Sequence, residues 1–433
     1  MRNIRYIARL VTTFFLRFKA LIILGIIVGF ILFLLLNWIV PLVSSNSVQR
    51  VGMTGKFTSS TLPYEIVTKI SRGLTVVTEN GEVVEGLASS WETPDNGKTW
   101  IFHLNNQILW QDGEKIDSYS INYQFTDSEI ERPDENTIVF KLQSTYSPFP
   151  SIVATPSFKK GLLGVGEWKV KKISFTGEYI DKLLIENNLS QKILYKFYPS
   201  EERLKLAFKL GQVDSIENLM NIKPFDKWEG LKIEKIVDYE EFVGIFLNTQ
   251  DKNLSEKSFR QALSYAIDKK SLGYERALSP ISLLSWAYNP QVKPYDYDFE
   301  KAKESIKSNV EINLSTPPVL LPIAEKIAKN WEAVGVKTNI QVYSVIPSDY
   351  QALLAIFDIP SDPDQYSIWH STQTATNITK YASPRIDKLL EDGRLETNLE
   401  ERKKIYLDFQ RFLVEDSPAI FLYYPETYNI FRP

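Results

Sequence analysis

The chain has 433 residues and carries 50 Lys and Arg against 53 Asp and Glu, a net charge of -3, so it has no basic field and nucleic acid is not an expected partner. It contains no cysteine and only two histidines, His103 and His370, which removes disulfides, thiolate chemistry and His-rich metal centres. At 44% hydrophobic and 24% charged, with 22 Tyr, 24 Phe and 9 Trp, it is long enough for two or three folded domains around large aromatic cores.

Residues 20–43 run for 24 positions without an ionisable side chain. As a helix this run would reach about 36 Å, against a hydrocarbon core of roughly 30 Å. Arg2, Arg5, Arg9, Arg17 and Lys19 precede it with no acidic residue, so the positive-inside bias keeps residues 1–19 in the cytoplasm and exports all that follows. The run is longer than the apolar core of a signal peptide, about 7–15 residues, and holds Trp38 and Pro41 near its outer end. An uncleaved single-pass anchor in the cell membrane is therefore expected, with the body on the extracytoplasmic side. The small, polar stretch 44–60, SSNSVQRVGMTGKFTSS, is expected to be a tether.

Beyond it, TWIFHL (99–104) and ENTIVFKL (135–142) alternate β-branched or aromatic residues with polar ones and predict strands, with DNGK and QDGE as turns. Helical spacing is found at 201–213, 258–272, 321–334 and 400–416, and strand-like runs lie between these at 242–248, 337–345 and 418–424. The alternation predicts α/β lobes. In SFRQALSYAIDKKSL (258–272), Phe259, Ala262, Leu263, Ala266 and Ile267 share one helical face. Ser258 with Gln261 is the expected capping box, and Lys269 and Lys270 the expected complement to the helix dipole.

Six strings, in this order, resemble the extracellular solute-binding proteins of peptide and nickel ABC importers, the oligopeptide- and dipeptide-binding type. Residues 66–117 carry "GL", "LA..W", "D.GK...F.L" and "W.DG" in succession, and LLGVGEWKVKK (162–172) is similar to the Gly-rich strand that returns from the first lobe. FLNTQDKNLSEKSFRQALSYAIDKKSL (246–272) resembles "NT....F.....RQA..YAID...L", and Phe299–Ile306 resembles the "D..KAK.LL" helix. SDPDQYSIWHS (361–371) is similar to a "DPD" cleft segment, and 381–424 to the closing region that ends in "YY". Residues 122–148 are shorter than is usual in that family.

The resemblance implies an α/β, two-lobed periplasmic-binding-protein-like fold, with a hinge of crossing strands at 242–248 and 418–424. Lobe I would comprise 60–243 and 421–433, with a reduced subdomain near 75–150, and lobe II would comprise 244–420. A peptide or other small solute would lie between the lobes, which close as rigid bodies and are then read by an ABC permease in the membrane. No cofactor, metal or catalytic residue is implied. A monomer is expected because closure needs free surfaces.

Capture of an extended peptide needs main-chain hydrogen bonds and a carboxylate for its α-ammonium. The resemblance places that carboxylate just ahead of the DPD-like segment. In AIFDIPSDPDQ, Asp358 takes that place if one residue is inserted before Asp362, and Ile359 takes it otherwise. Asp358, Asp362 and Asp364 stand as competing candidates, the last two being equally readable as turn openers. Trp369, His370 and Gln373 follow as candidate cleft residues, Trp369 reading equally well as core. One of Tyr423 and Tyr424 is expected to face the ligand because strand side chains alternate. Trp91 and Trp110 read as structural. Two rivals are an enzyme built on the acidic residues 358–364, for which no G-x-S-x-G, H-E-x-x-H or P-loop motif is found, and a ligand-binding receptor or assembly protein of the same fold without a transport role.

Overall fold

The computed structural model describes residues 48–306 and 310–433, with positions 18, 19, 25, 28–31 and 33 of the N-terminal segment. The expected anchor at 20–43 falls for the most part outside the described residues. Among the described residues, no helix is long and apolar enough to cross a membrane.

In chain order the elements begin with β1 (Val48–Thr54), α1 (Tyr64–Ile70), the hairpin β2 (Thr75–Val77) and β3 (Val83–Glu85), and β4 (Ala88–Glu92), β5 (Thr99–Leu104), β6 (Ser128–Asp134) and β7 (Thr137–Leu142). Next come α2 (Phe149–Ile152), β8 (Trp168–Thr176), β9 (Tyr179–Asn187), β10 (Lys192–Tyr198), α3 (Glu201–Lys209), β11 (Ser215–Leu219) and β12 (Lys232–Val237). The second half holds β13 (Glu241–Leu247), α4 (Lys257–Ala266), α5 (Phe299–Glu304), β14 (Val310–Thr316), α6 (Leu321–Ala333), β15 (Val336–Val342) and β16 (Ala352–Asp358). It closes with α7 (Tyr366–Trp369), α8 (Pro384–Leu395), α9 (Leu399–Asp416), β17 (Ala419–Tyr423) and β18 (Glu426–Phe431).

Three larger sheets organise these elements. Lobe I is a seven-stranded sheet ordered β12-β18-β11-β1-β10-β9-β8, with a four-stranded subdomain β4-β5-β7-β6 beside it; lobe II is a five-stranded sheet ordered β15-β14-β16-β13-β17. Two apolar cores sandwich the lobe II sheet. Ile245, Leu263, Ile327 and Trp331 pack on one face, and Phe242, Phe246, Trp369 and Phe409 on the other. The alternation of β13, with Phe242 and Phe246 on one side and Val243 and Ile245 on the other, is what lets one strand feed both.

β12 and β18 belong to the seven-stranded sheet, whereas β13 and β17 belong to the five-stranded one. The chain therefore passes between lobes at residues 238–240 and 424–425. The runs 242–248 and 418–424 are not the crossings themselves. They pair with each other inside lobe II, Val243 opposite Tyr423 and Phe246 opposite Ala419. Asp238 and Pro425 tie the two crossings together, the Asp238 amide donating to the Pro425 carbonyl at 2.9 Å.

The expected tether 44–60 is largely sheet. β1 lies fourth of seven strands and pairs in parallel with both β10 and β11. Its composition hid this because Gly52 replaces a core side chain: a Cβ there would sit 2.4 Å from Leu204 Cδ1 on α3. Arg50 is occupied by Asp214, its Nε donating at 2.9 Å. Val51, Gly52 and Met53 are the buried residues of the strand.

The expected helix at 258–272 is shorter, because Ile267 is extended (φ -88°, ψ 119°) and only a single 3-10 turn follows at Lys270–Leu272. The capping box does not form. The N-cap is Glu256, without a side-chain cap, and Ser258 lies inside the helix. Gln261 instead donates from Nε2 to the Glu415 carbonyl at 2.7 Å. Arg260 is buried and donates to the carbonyls of Leu254, Ser255, Asp416 and Ser417. The "RQA" pair thus fastens the end of α9, whose last carbonyls have no helical partner. Lys269 turns inward rather than facing the dipole. It donates to the Tyr295 carbonyl at 2.7 Å, and burial pulls its pKa down to about 7.

Candidate ligand-binding cleft

The two lobes meet at the crossings and along the subdomain, and each contact is built by residues from both sides. At the crossings, aromatic side chains brace the chain. Tyr239 donates to Glu275 Oε2 at 2.7 Å and packs edge-on against Tyr424 at 5.1 Å. The Tyr424 hydroxyl accepts the Leu283 amide at 2.9 Å, and Tyr423 stacks on Tyr274 at 4.2 Å. Tyr423 and Tyr424 do alternate, into opposite cores, but both are buried, at 3% and 0% exposure. Neither presents a free face to the cleft in this structure.

Around this joint stand acidic groups that make no ion pair with a lysine or arginine among the described residues. Glu241 and Asp358 are direct cross-strand partners at the ends of β13 and β16, a like-charge placement that costs stability. Burial, with the charges of Asp238 and Asp358, pushes Glu241 up to about 7. Burial likewise raises Asp238, with Glu65 and Asp358 adding to it, and raises Glu240, with Asp238 and Glu65 adding. Glu217 on β11 is raised by burial, opposed by Lys69. Among the described residues, none of Glu65, Glu217, Asp238, Glu240, Glu241 and Asp358 is in an ion pair. Such a cluster favours a cation arriving between the lobes, because the carboxylates regain their charge when it binds. The run DYEEF at 238–242 is the sequence signal that carries three of these groups.

The three competing aspartates separate sharply. Asp358 is exposed. Asp362 accepts from Arg402 twice, Nη1 at 2.8 Å and Nη2 at 2.5 Å. Asp364 accepts from Arg394 Nε at 2.9 Å and from the Tyr366 amide at 3.1 Å; burial raises its pKa, with Arg394 opposing. Both arginines come from the closing motif at 381–424, so two separately recognised strings meet as one ion-paired unit. The unit also reaches the subdomain. Tyr146 donates to Asp364 at 3.3 Å, Ser151 to Asp362 at 3.3 Å, and the Ser147 amide to the Arg394 carbonyl at 2.8 Å. Close by, the Trp286 amide donates to the Asn80 carbonyl at 2.8 Å.

The remaining candidates are packed or locally bonded. Trp369 is 1% exposed, donates to Gln365 Oε1 at 2.7 Å and stacks on Phe246. His370 is buried against the Tyr366 ring at 4.0 Å, its Nδ1 2.8 Å from Thr372 Oγ1. Gln373 is half-buried and sits in the turn that follows, its carbonyl accepting the amides of Thr376 and Asn377. Trp110 lies in the subdomain core with Nε1 donating to Ser120, and Trp91 packs beside it on Phe102. No group of three His, Asp or Glu suited to a metal ion is found among the described residues.

The family model of bacterial extracellular solute-binding proteins, family 5, matches residues 82–182 and 186–377. The chain belongs to this family. It is 22% identical to the dipeptide-binding protein of Escherichia coli (strain K12), over 79% of this chain and 81% of that one. It is 25% identical to the oligopeptide-binding protein AppA of Bacillus subtilis (strain 168), over 62% of this chain and 58% of the relative. Among solved structures, the fold is shared with NikZ from Campylobacter jejuni in complex with Ni(L-His), TM-score 0.71 at 20% identity, covering 89% of this chain and 94% of that one. It is also shared with AppA from Bacillus subtilis in complex with a nonapeptide, TM-score 0.67 at 20% identity, covering 89% of this chain and 95% of that one. The two-domain α/β solute-binding fold is thereby established for this family 5 chain.

Proposed function

We propose that this solute-binding protein is a membrane-anchored, extracytoplasmic subunit of an ABC importer that captures peptides between its lobes and delivers them to a permease. The single observation that carries the choice of ligand is the unneutralised acidic group at the crossings. A peptide's α-ammonium is the one positive charge that every peptide supplies. Asp358 is the candidate partner for it, because Asp362 and Asp364 already hold arginines. The relatives named as dipeptide- and oligopeptide-binding proteins support the same reading. The 24-residue apolar run supports the anchor.

Thermal unfolding of residues 48–433 with di- to hexapeptides tests this proposal. Ligand at 100 times its Kd adds about 2.7 kcal/mol. The expected result is a shift with free peptides that is lost when their amino terminus is acetylated. Equal shifts with free and acetylated peptides would remove the ammonium from the mechanism, and no shift with any peptide would remove peptides as the ligand.

A further inference from the structure

β1 begins at Val48, and the apolar run ends at Val43. Only Ser44, Ser45, Asn46 and Ser47 separate them, so five Cα steps, about 18 Å at full extension, join the run to the middle of the lobe I sheet. The interfacial layer on each side of a bilayer is itself about 5–8 Å thick. This leaves little freedom for the edge of the sheet at which β1 starts.

Topology defines that edge. β1 is parallel to β10 and β11, and β18 is antiparallel to both β11 and β12, so β1, β10, β11 and β12 all start there while β9 and β18 end there. Three large apolar side chains stand exposed at this edge: Leu189 in the β9–β10 turn at 80%, Leu210 in the loop entering β11 at 65%, and Trp228 shortly before β12 at 40%. They flank β1 on both sides, the farthest strand being three places away, roughly 14 Å at the ordinary spacing. Exposed lysines, Lys209 and Lys227, directly precede Leu210 and Trp228, and neither is ion-paired among the described residues. Asp226 and Glu229 are exposed at the same corner, so the apolar groups rather than net charge carry the contact. Trp and Leu beside Lys is the composition of a surface seated at the membrane–water interface.

We propose that this edge of lobe I rests on the outer bilayer surface, with Leu189, Leu210 and Trp228 in the interfacial layer. The crossings lie at the opposite edge, beyond the C-terminal end of β12, so the cleft is held a strand length, roughly 20 Å, farther from the lipid. The proposal rests on the anchored reading above.

The chain has no cysteine, so Leu189→Cys and Leu210→Cys each provide one labelling site, and Phe175→Cys, 54% exposed at the opposite edge, provides a control. The full chain is reconstituted in phosphatidylcholine vesicles, labelled with a polarity-sensitive fluorophore, and quenched with doxyl lipid. The expected result is a blue-shifted, lipid-quenched signal at 189 and 210 and a water-like, unquenched signal at 175. Release of the chain by alkaline carbonate would overturn the anchor and this proposal together. Retention with water-like signals at all three positions would overturn this proposal alone, because no other protein is present to cover the edge.

Discussion

Asp362 and Arg402, forty residues apart in the chain, form a two-bonded ion pair with only 12% and 7% of their side chains exposed. Burial opposes the charge on Arg402, and the carboxylate of Asp362 more than offsets it. Removing one partner strands the other charge. Arg402→Met is expected to cost about 3–5 kcal/mol in urea unfolding, whereas the double variant Asp362→Asn with Arg402→Met is expected to recover part of that loss. A double variant as damaged as the sum of the singles would show that the two side chains act independently.

Asp358 and Asp362 differ in the opposite sense, although only three residues separate them. Asp358→Asn is expected to leave the unfolding midpoint unchanged or slightly raised, since it relieves the pairing with Glu241. Its peptide affinity should fall by an amount equivalent to about 1.5–3 kcal/mol, measured by calorimetry. Asp362→Asn should do the reverse, losing stability first. Equal peptide affinity in Asp358→Asn and the parent would return the ligand role to another of the cleft carboxylates.

Much of this fold was legible because its signals are local. TWIFHL became β5 without a change of boundary, and the helix predicted at 400–416 became α9. What failed was whatever depends on the partner rather than on the segment. β1 reads as a tether because its central glycine is shaped by Leu204 on α3, and Gln261 reads as half of a cap because its real acceptor, the Glu415 carbonyl, is 154 residues away. In the site, the aspartates were legible as a set. Which one stays free depends on Arg394 and Arg402, which sequence reasoning had recognised only as part of a different motif.

Gly52 offers a direct check on the strand that sequence reasoning missed. A Cβ at this position meets Leu204 Cδ1 at 2.4 Å and Val213 Cγ2 at 3.2 Å. Gly52→Val is expected to cost about 1–3 kcal/mol through overpacking. The same substitution at Gly113, where no heavy atom lies within 4 Å but φ is +90°, would be penalised by backbone strain alone and without disturbing α3. Amide exchange over 201–209 separates the two, with faster exchange expected only for Gly52→Val. Unchanged exchange there would mean that β1 does not support α3.

The last expectation concerns pH. Glu241 titrates near 7 in the folded chain because burial and the carboxylates of Asp238 and Asp358 disfavour its charge, against an ordinary value of 4.5. A carboxyl raised in this way favours the fold when protonated, so its contribution is fully present below pH 4.5 and is lost as pH rises through about 7. The difference in unfolding free energy between the parent and Glu241→Gln should therefore decline from pH 4.5 to 7 and level off above that. Peptide binding should run the other way. An arriving ammonium lowers the pKa of Glu241, so binding near pH 7 releases a proton from Glu241 and tightens as pH rises from about 6 to 7, below the range of about 7.7–8.0 in which the peptide's own α-ammonium is lost. Calorimetry in two buffers of different ionisation enthalpy measures that proton, and Glu241→Gln should abolish its release. If the parent and Glu241→Gln release the same fraction of a proton, the ammonium is bound away from Glu241, and the acidic joint governs only the stability of the crossing.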